Sequence, residues 1–427
     1  MRRTFVVVPR RLAAVSILCL MAVMPLLSSQ PRARGEEAAA LTYVINDTGQ
    51  DKCYDDAGKV IPPPPSEKSF HGQDAQYPGT QMRFQDNGDG TVSDLNTGLV
   101  WQKAVGVKVS WEDAKANAVR INFGGKTDWR LPSIKELYSL IDFNGMAGRD
   151  ERSSVPYIQT RYFDFRYGDA GERLIDAQYW TTTRYVSTTM NGDQSVFGVN
   201  FADGRIKAYP ISSPRDRETP NKLFVRYVRG NPEYGKNKFT DNGDGTITDS
   251  ATGLMWMKTD SGPQKAGEKE DGRLNWRQAL KWAENLDYAG HKDWRLPNAK
   301  ELQSIVDYTR SPATTNSAAI DPMFGATMIA DPAGRPNYPC YWTGTSHLDG
   351  PTPGSGAVYV AFGKAQGFME FPPRSGRWSL LDVHGAGAQR SDPKSGDPAQ
   401  FPRGRGPQGD VILIYNFARC VRDAKTQ

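Results

Sequence analysis

Short runs of alternating hydrophobic and polar residues, each closed by a turn rich in glycine, make up most of this chain. The sequence Asp-Asn-Gly-Asp-Gly at 86–90 separates a run that ends at Phe84 from one that begins at Thr91. This pattern predicts two β-strands joined by a tight turn. Elsewhere apolar residues recur at helical spacing behind a capping residue, which predicts short helices between the strands. These helices are expected to start at Ser110, Ser133, Asn275 and Asn298.

The pattern occurs twice. The block RFQDNGDGTVSDLNTGLVWQ, which starts at Arg83, is matched by KFTDNGDGTITDSATGLMWM, which starts at Lys238. Further blocks match in the same order, so the chain contains a duplicated unit. We predict copy one over residues 83–230 and copy two over residues 238–423, preceded by a leader segment over residues 41–82. The order within each copy, strands, two helices and then strands, predicts an α+β fold.

Several residues recur in both copies although the loops around them differ, which predicts a structural role for them. The motif Asp-Trp-Arg occurs at 128–130 and at 293–295, and an arginine near the end of each copy occurs at Arg226 and Arg419. We expect the Asp and Arg of the motif to fix the start of the second helix. The shared tryptophans are expected in the core, at Trp101, Trp129, Trp180, Trp256, Trp294 and Trp342.

Copy two is longer than copy one because of two insertions. One is polar and spans residues 258–272, and the other is rich in Gly, Pro and Arg and spans residues 379–408. Insertions belong in surface loops, where function often lies. Within the second insertion, a polar ligand site is one interpretation and a solvated loop is the other. The residues concerned are Asp382, His384 and Arg390.

Residues 1–40 have the character of a secretory signal peptide. Four arginines within residues 1–11 are followed by an apolar run at 12–27 and then a polar stretch, and this order is typical of such signals. A membrane anchor is the alternative, but the apolar run is shorter than the ~20 residues that a spanning helix needs. We therefore expect an exported protein, secreted, periplasmic or on the cell surface, with no membrane span after signal removal.

The charge of the chain argues against nucleic acid as a partner. The whole sequence has 53 basic and 48 acidic residues, a formal net charge of +5, but residues 1–40 hold six arginines and only two glutamates. The remaining chain is almost neutral, whereas a nucleic-acid binder should show a basic stripe. The sequence also lacks the HExxH, GxSxG and phosphate-loop motifs of common enzyme classes.

The repeated motifs resemble those of the Lcl C-terminal domain family, which is named from a Legionella collagen-like surface protein. NGDGT, TGLMW, DWRLP followed by KEL, YWT and a closing VR carry the resemblance. WRLP and the capped second helix are also similar to the wider C-type-lectin-like superfamily, including formylglycine-generating enzymes. The resemblance implies two tandem C-type-lectin-like domains, each a small twisted antiparallel sheet with two helices. It also implies an exported protein with a role in adhesion or glycan binding.

The cysteines are distributed unequally between the two copies. Cys340 and Cys420 lie in copy two, where the aligned positions of copy one hold Gln178 and Tyr227. Joint presence in one copy and joint absence from the other predict a disulfide bond, which an exported protein permits. The alternative is a catalytic pair like that of formylglycine-generating enzymes. Cys53 is left over and is either free or paired between chains.

Aspartates at the hairpin turns are candidate calcium ligands. They are Asp241, Asp244 and Asp249 in copy two, with counterparts in copy one. Calcium prefers six to eight oxygens from one loop, but Gly243 and Gly245 stand where an EF-hand loop would supply ligands. A glycine-rich turn with solvated carboxylates is therefore the favoured interpretation, and no cofactor other than calcium is a candidate.

These observations favour a non-enzymatic binding protein. Its expected ligand is a glycan or another polymer of the cell envelope or extracellular space, and two copies would add avidity if both bind. An enzyme of the formylglycine-generating type and a purely structural envelope protein are the alternatives. An enzyme would need reactive cysteines or a metal cluster, and copy one has neither.

Overall fold

The computed structural model describes residues 1–2, 4–9, 41–213, 216–370 and 375–424, and residues Leu41–Gln427 form one compact unit. The predicted signal peptide falls mainly outside the described residues. Within the described part of the chain, no helix has the length and apolar character needed to cross a membrane.

The fold is α+β, as expected, with mostly antiparallel strands and four short α-helices among the described residues. Copy one contains β3 Phe84–Asp86, β4 Thr91–Asp94, β5 Leu99–Gln102, β6 Val109–Ser110, α1 Trp111–Ala118, α2 Ile134–Tyr138, β7 Gln178–Thr189, β8 Asp193–Asn200, β9 Arg205–Pro210, β10 Lys222–Leu223 and β11 Val228–Gly230, and the leader segment contains β1 Cys53–Tyr54 and β2 Val60–Ile61. Copy two contains β12 Phe239–Asp241, β13 Thr246–Asp249, β14 Leu254–Met257, α3 Trp276–Glu284, α4 Ala299–Ser304, β15 Ile329–Ala330, β16 Pro336–Asn337, β17 Cys340–His347, β18 Gly356–Ala361, β19 Gln366–Glu370, β20 Trp378–Asp382, β21 Gln389–Pro393 and β22 Val421–Asp423.

Each copy begins with the predicted meander, and a last strand completes it as a four-stranded sheet. The orders are β11-β5-β4-β3 in copy one and β12-β13-β14-β22 in copy two. The first turn of copy one needs glycine, because Gly88 and Gly90 both have positive φ. The closing strand β11 begins at Val228. Phe224 is held beside β7 by two backbone hydrogen bonds, and the chain reaches β5 only after that contact.

The predicted helix starts and core residues are confirmed. Ser133 and Asn298 form capping boxes with the glutamates three residues later, Glu136 and Glu301. Those glutamates also form bidentate ion pairs with the arginines of the two Asp-Trp-Arg motifs. All six shared tryptophans are buried. Helix α1 ends at Ala118.

The two copies are joined into one six-stranded antiparallel sheet. Its order is β17-β18-β21-β9-β8-β7, so equivalent strands occupy equivalent places on either side of the β21–β9 junction. Gln389 of β21 pairs with Ile206 of β9. One hydrophobic cluster crosses the junction, and within it the Phe197 and Tyr308 rings of opposite copies lie 4.8 Å apart. The copies therefore share a core and do not form two separate bodies.

Two equivalent lysines make reciprocal contacts across this junction. Lys135 of α2 donates to the carbonyl oxygen of Ser304 at 2.6 Å, and Lys300 of α4 donates to the carbonyl oxygen of Ser139 at 2.9 Å. Each ammonium thus reaches the C-terminal end of the other copy's helix, where cations are favoured. Burial lowers the pKa of both lysines to about 8. Lys300 also donates to the Asp47 carbonyl oxygen at 2.8 Å.

The leader segment packs against both copies. The Gln50 side chain donates to the carbonyl oxygens of Phe143 in copy one and Ser346 in copy two. Asp74 is buried and accepts hydrogen bonds from the hydroxyls of Thr48, at 2.7 Å, and Thr345, at 2.6 Å. This segment is therefore an integral part of the fold.

Both ends of the folded region bond to the same turn of copy two. Thr42 N–H donates to the carbonyl oxygen of Ala251 at 3.0 Å, and Ala424 N–H donates to that of Gly253 at 2.9 Å.

We predict that Lys300→Met lowers the free energy of unfolding by about 1–3 kcal/mol, because two buried carbonyl groups lose their donor. Urea denaturation should show a single transition for the wild type and the variant, since the copies share one core. The control is Lys236→Met, which removes an exposed ion pair with Glu233 and should change stability by less than about 0.5 kcal/mol. Two separate transitions in the wild type would contradict the shared core.

We predict that Asp74 makes stability depend on pH. Burial raises the pKa of this carboxyl from 3.8 to about 7. Its stabilising contribution is then complete below pH 4 and is lost as the pH rises through about 7. Asp74→Asn keeps an acceptor oxygen but does not titrate. Urea midpoints measured at pH 5, 6, 7 and 8 should fall more steeply with pH for the wild type than for the variant, and parallel curves would contradict the prediction.

Candidate functional site

The predicted ligand-loop residues lie at the junction between the copies. His384 is buried, and its Nε2 atom lies 2.8 Å from Asp410 Oδ1, while Arg390 forms an ion pair with the other oxygen of Asp410. Burial lowers the pKa of His384 to about 4, so its ring is neutral at pH 7. Asp382 is separate from this pair and accepts a hydrogen bond from the Tyr185 hydroxyl of copy one at 2.6 Å. Sequence reasoning did not identify Asp410, which brings His384 and Arg390 together.

The candidate calcium ligands are engaged within their own turns. Asp241 pairs with Lys258 at 2.5 Å, and Asp244 accepts hydrogen bonds from the N–H and the hydroxyl of Thr246. Asp249 is buried and accepts from the N–H of Lys238 at 2.8 Å, among other donors. No group of three or more His, Cys, Asp or Glu side chains in the described ranges is placed to hold a metal ion.

The cysteines of copy two are buried thiols in one hydrophobic cluster, and no disulfide joins them in this structure. Tyr341, which follows Cys340 on β17, forms a parallel β-bridge with Phe417. Cys420 lies three residues after Phe417 along the chain. Burial raises the pKa of both thiols. The disulfide stays a prediction.

A cavity of about 660 Å³ lies in copy two and is lined in part by residues of both insertions. We call it the insertion cavity. The first insertion contributes Glu268 and Asp271, and the second contributes residues 396–398. Cys340 and Tyr359, on neighbouring strands β17 and β18, also line it. A cavity of this size lies within the usual range for small-molecule sites.

Asn416 and Asp392 form a buried polar pair beside the insertion cavity. Asn416 is 1% exposed, and its side chain hydrogen-bonds with the carboxyl of Asp392 and so lowers the pKa of that carboxyl. The aligned residue of copy one is Leu223, which is apolar and buried. The pair is therefore specific to copy two.

The carboxyl group of this pair is held from a second side. Asp392 is buried, and its Oδ2 atom accepts a hydrogen bond at 3.0 Å from the N–H of Leu413, which lines the cavity. Burial raises the pKa of Asp392 to about 7, although the hydrogen bonds from Leu413 and Asn416 oppose that shift. Copy one has Tyr209 at the equivalent register of its sheet.

The charged side chains that line the insertion cavity are of both signs and nearly balanced. Four are acidic and three are basic, namely Glu268, Asp271, Asp331, Asp397, Lys269, Arg273 and Lys364. Aromatic rings complete the wall, at Tyr338, Tyr359, Tyr415 and Phe417. The charges of the lining nearly cancel one another. A ligand without strong net charge can therefore bind there without leaving a charged side chain of the protein unpaired.

Comparison with known proteins adds a family match in each copy. The model of the Lcl C-terminal domain family matches residues 90–229 and 245–380, which confirms the tandem arrangement. The second match ends before Asn416, so part of the insertion cavity lies outside it. No curated protein and no solved structure matches the chain.

We predict that Asn416→Leu lowers the free energy of unfolding by about 1–3 kcal/mol, because the buried carboxyl of Asp392 loses a hydrogen-bond donor. The control is Asn191→Leu, which changes an exposed asparagine of copy one and should change stability by less than about 0.5 kcal/mol. Thermal and urea unfolding of the two variants measure both effects. Unchanged or increased stability of Asn416→Leu would show that the amide is not a structural group.

Proposed function

Because this chain belongs to the Lcl C-terminal domain family, we propose that it is an exported, non-enzymatic binding protein whose ligand enters the insertion cavity of copy two. The ligand is a glycan or another polymer of the envelope or the extracellular space. The predicted signal peptide at residues 1–40 and the family's association with surface proteins support export.

The observation that carries the proposal is the insertion cavity itself, which residues of both insertions of copy two line in part. Binding sites commonly combine a largely apolar wall with a few polar groups that fix the ligand. This cavity combines aromatic and aliphatic side chains with charged side chains of both signs and with the amides of Gln278, Asn337 and Gln366. Copy one has shorter loops than copy two, so we infer that binding is a property of copy two.

Copy one acts in this proposal as a framework for copy two. It contributes three strands to the common sheet and shares its core. The two copies would then provide one cavity and not two equivalent sites.

The state of the cysteines supports binding over an enzyme of the formylglycine-generating type. A nucleophilic cysteine needs a lowered pKa and access to its substrate. Cys340 and Cys420 are both buried, and burial raises the pKa of each thiol. Cys340 is therefore a wall residue of the insertion cavity in this proposal and not a reacting group.

We predict that residues 41–427 bind at least one component of an array of glycans and bacterial envelope polymers. Tyr415→Ala removes a 41% exposed ring from the cavity lining and should weaken this binding about tenfold or more while the variant stays folded. The matched control is Trp378→Ala, which removes a 40% exposed ring on β20 outside that lining and should bind like the wild type. Equal binding by Tyr415→Ala and the wild type would remove the insertion cavity as the site. An array without any binding would contradict the proposed function.

A further inference from the structure

The leader segment covers a surface of copy two whose equivalent in copy one is open. The two surfaces are built alike at the start of the second helix. In copy one, the Thr183 Oγ1 atom accepts a hydrogen bond from the N–H of Ile134 at 3.0 Å. In copy two, the Thr345 Oγ1 atom accepts one from the N–H of Ala299 at the same distance. One chain therefore shows this surface both with and without a polypeptide segment bound to it.

Two side chains of the leader segment hold it on copy two. Asp74 accepts a hydrogen bond from the Thr345 hydroxyl at 2.6 Å. The guanidinium of Arg295 lies over the ring of Tyr77, 5.5 Å from its centroid, which is a cation–π contact. The Tyr77 hydroxyl also donates to Glu284 at 2.7 Å. This surface thus binds a carboxylate through its threonine and an aromatic ring, three residues later, through its arginine.

A groove of about 490 Å³ lies at the equivalent place in copy one. We call it the junction groove, because residues of both copies line it, among them Arg130, Thr183 and Tyr308. The Arg130 side chain is 37% exposed, whereas that of the equivalent Arg295 is 13% exposed. The Thr183 hydroxyl is partly exposed and donates to no acceptor among the described residues. The two groups that hold the leader segment on copy two are therefore uncovered on copy one.

Copy one does not fit a second leader segment in the same pose. In copy two the leader backbone passes so close to Gly344 that a Cβ atom there would lie 3.1 Å from the Asp74 nitrogen. Copy one has Thr182 at this position, and its larger side chain would press on the same backbone. The residue of copy one that aligns with Glu284 is Val119, which is exposed and apolar. An aromatic ring bound there needs no hydroxyl, so the occupant differs from the leader.

We propose that the junction groove is the docking site of a second protein, which inserts an extended segment with a carboxylate side chain and, three residues later, an aromatic ring. The carboxylate accepts the hydrogen bond of the Thr183 hydroxyl, and the ring stacks on Arg130. No residue lines both the junction groove and the insertion cavity, so this inference does not rest on the proposed function. The protein would bind its partner on copy one and its ligand on copy two.

The first test selects from a phage-displayed library of random short peptides on immobilised residues 41–427. The selected peptides should share an acidic residue followed three positions later by an aromatic one. Thr183→Val keeps the shape of the side chain but removes its hydroxyl, and should weaken the binding of a selected peptide about tenfold or more. The matched control is Thr188→Val, an exposed threonine of β7 outside the groove, which should bind like the wild type.

Tyr415→Ala, in the insertion cavity, should leave peptide binding unchanged, so the two sites are judged separately. A selection that yields no peptide of this pattern overturns the docking site. Selected peptides that bind Thr183→Val as tightly as the wild type also overturn it.

The second test uses a synthetic peptide of residues 70–80 of the leader segment. The wild type should not bind it measurably. Thr182→Gly, which gives copy one the residue of copy two, should bind it, and Asp74→Asn in the peptide should weaken that binding. A wild type that binds the peptide as tightly as Thr182→Gly would make the leader of a second copy the occupant and overturns the partner protein. Failure of Thr182→Gly to bind overturns the equivalence of the two surfaces on which the docking site depends.

Discussion

An edge strand leaves a row of backbone N–H and C=O groups without partners, and a stable fold must pair or cover them. Strands β9 and β21 would each be the edge of their own copy's sheet, and in this protein they pair with one another at Ile206 and Gln389. Helices α2 and α4 also meet at this junction, where Lys135 and Lys300 reach the carbonyl ends of each other's helices. The leader segment then binds residues of both copies. The insertion cavity thus belongs to a fold in which the two copies cannot separate without exposing their common core.

Local features of the fold could be predicted from the sequence, and features that arise between the copies could not. Capping residues such as Ser133 and Asn298 act within one helical turn, and the shared tryptophans mark a core, so these predictions needed no long-range information. The β21–β9 pairing joins strands 183 residues apart at Gln389 and Ile206, and no local pattern encodes it. The leader segment has no repeat and little periodicity, so its role was not visible. The insertion cavity depends on how both insertions fold, and an alignment of the two copies does not encode that.

The two ends of the folded region, at Thr42 and Ala424, bond to neighbouring residues of one turn, Ala251 and Gly253. The backbone before residue 42 and after residue 424 therefore leaves the body from one place. Tension applied between these two ends would load only the short terminal pairings with that turn and would not pull across the six-stranded sheet. Under such tension the folded region would rotate about this turn, and its sheet, core and cavity would carry little of the load.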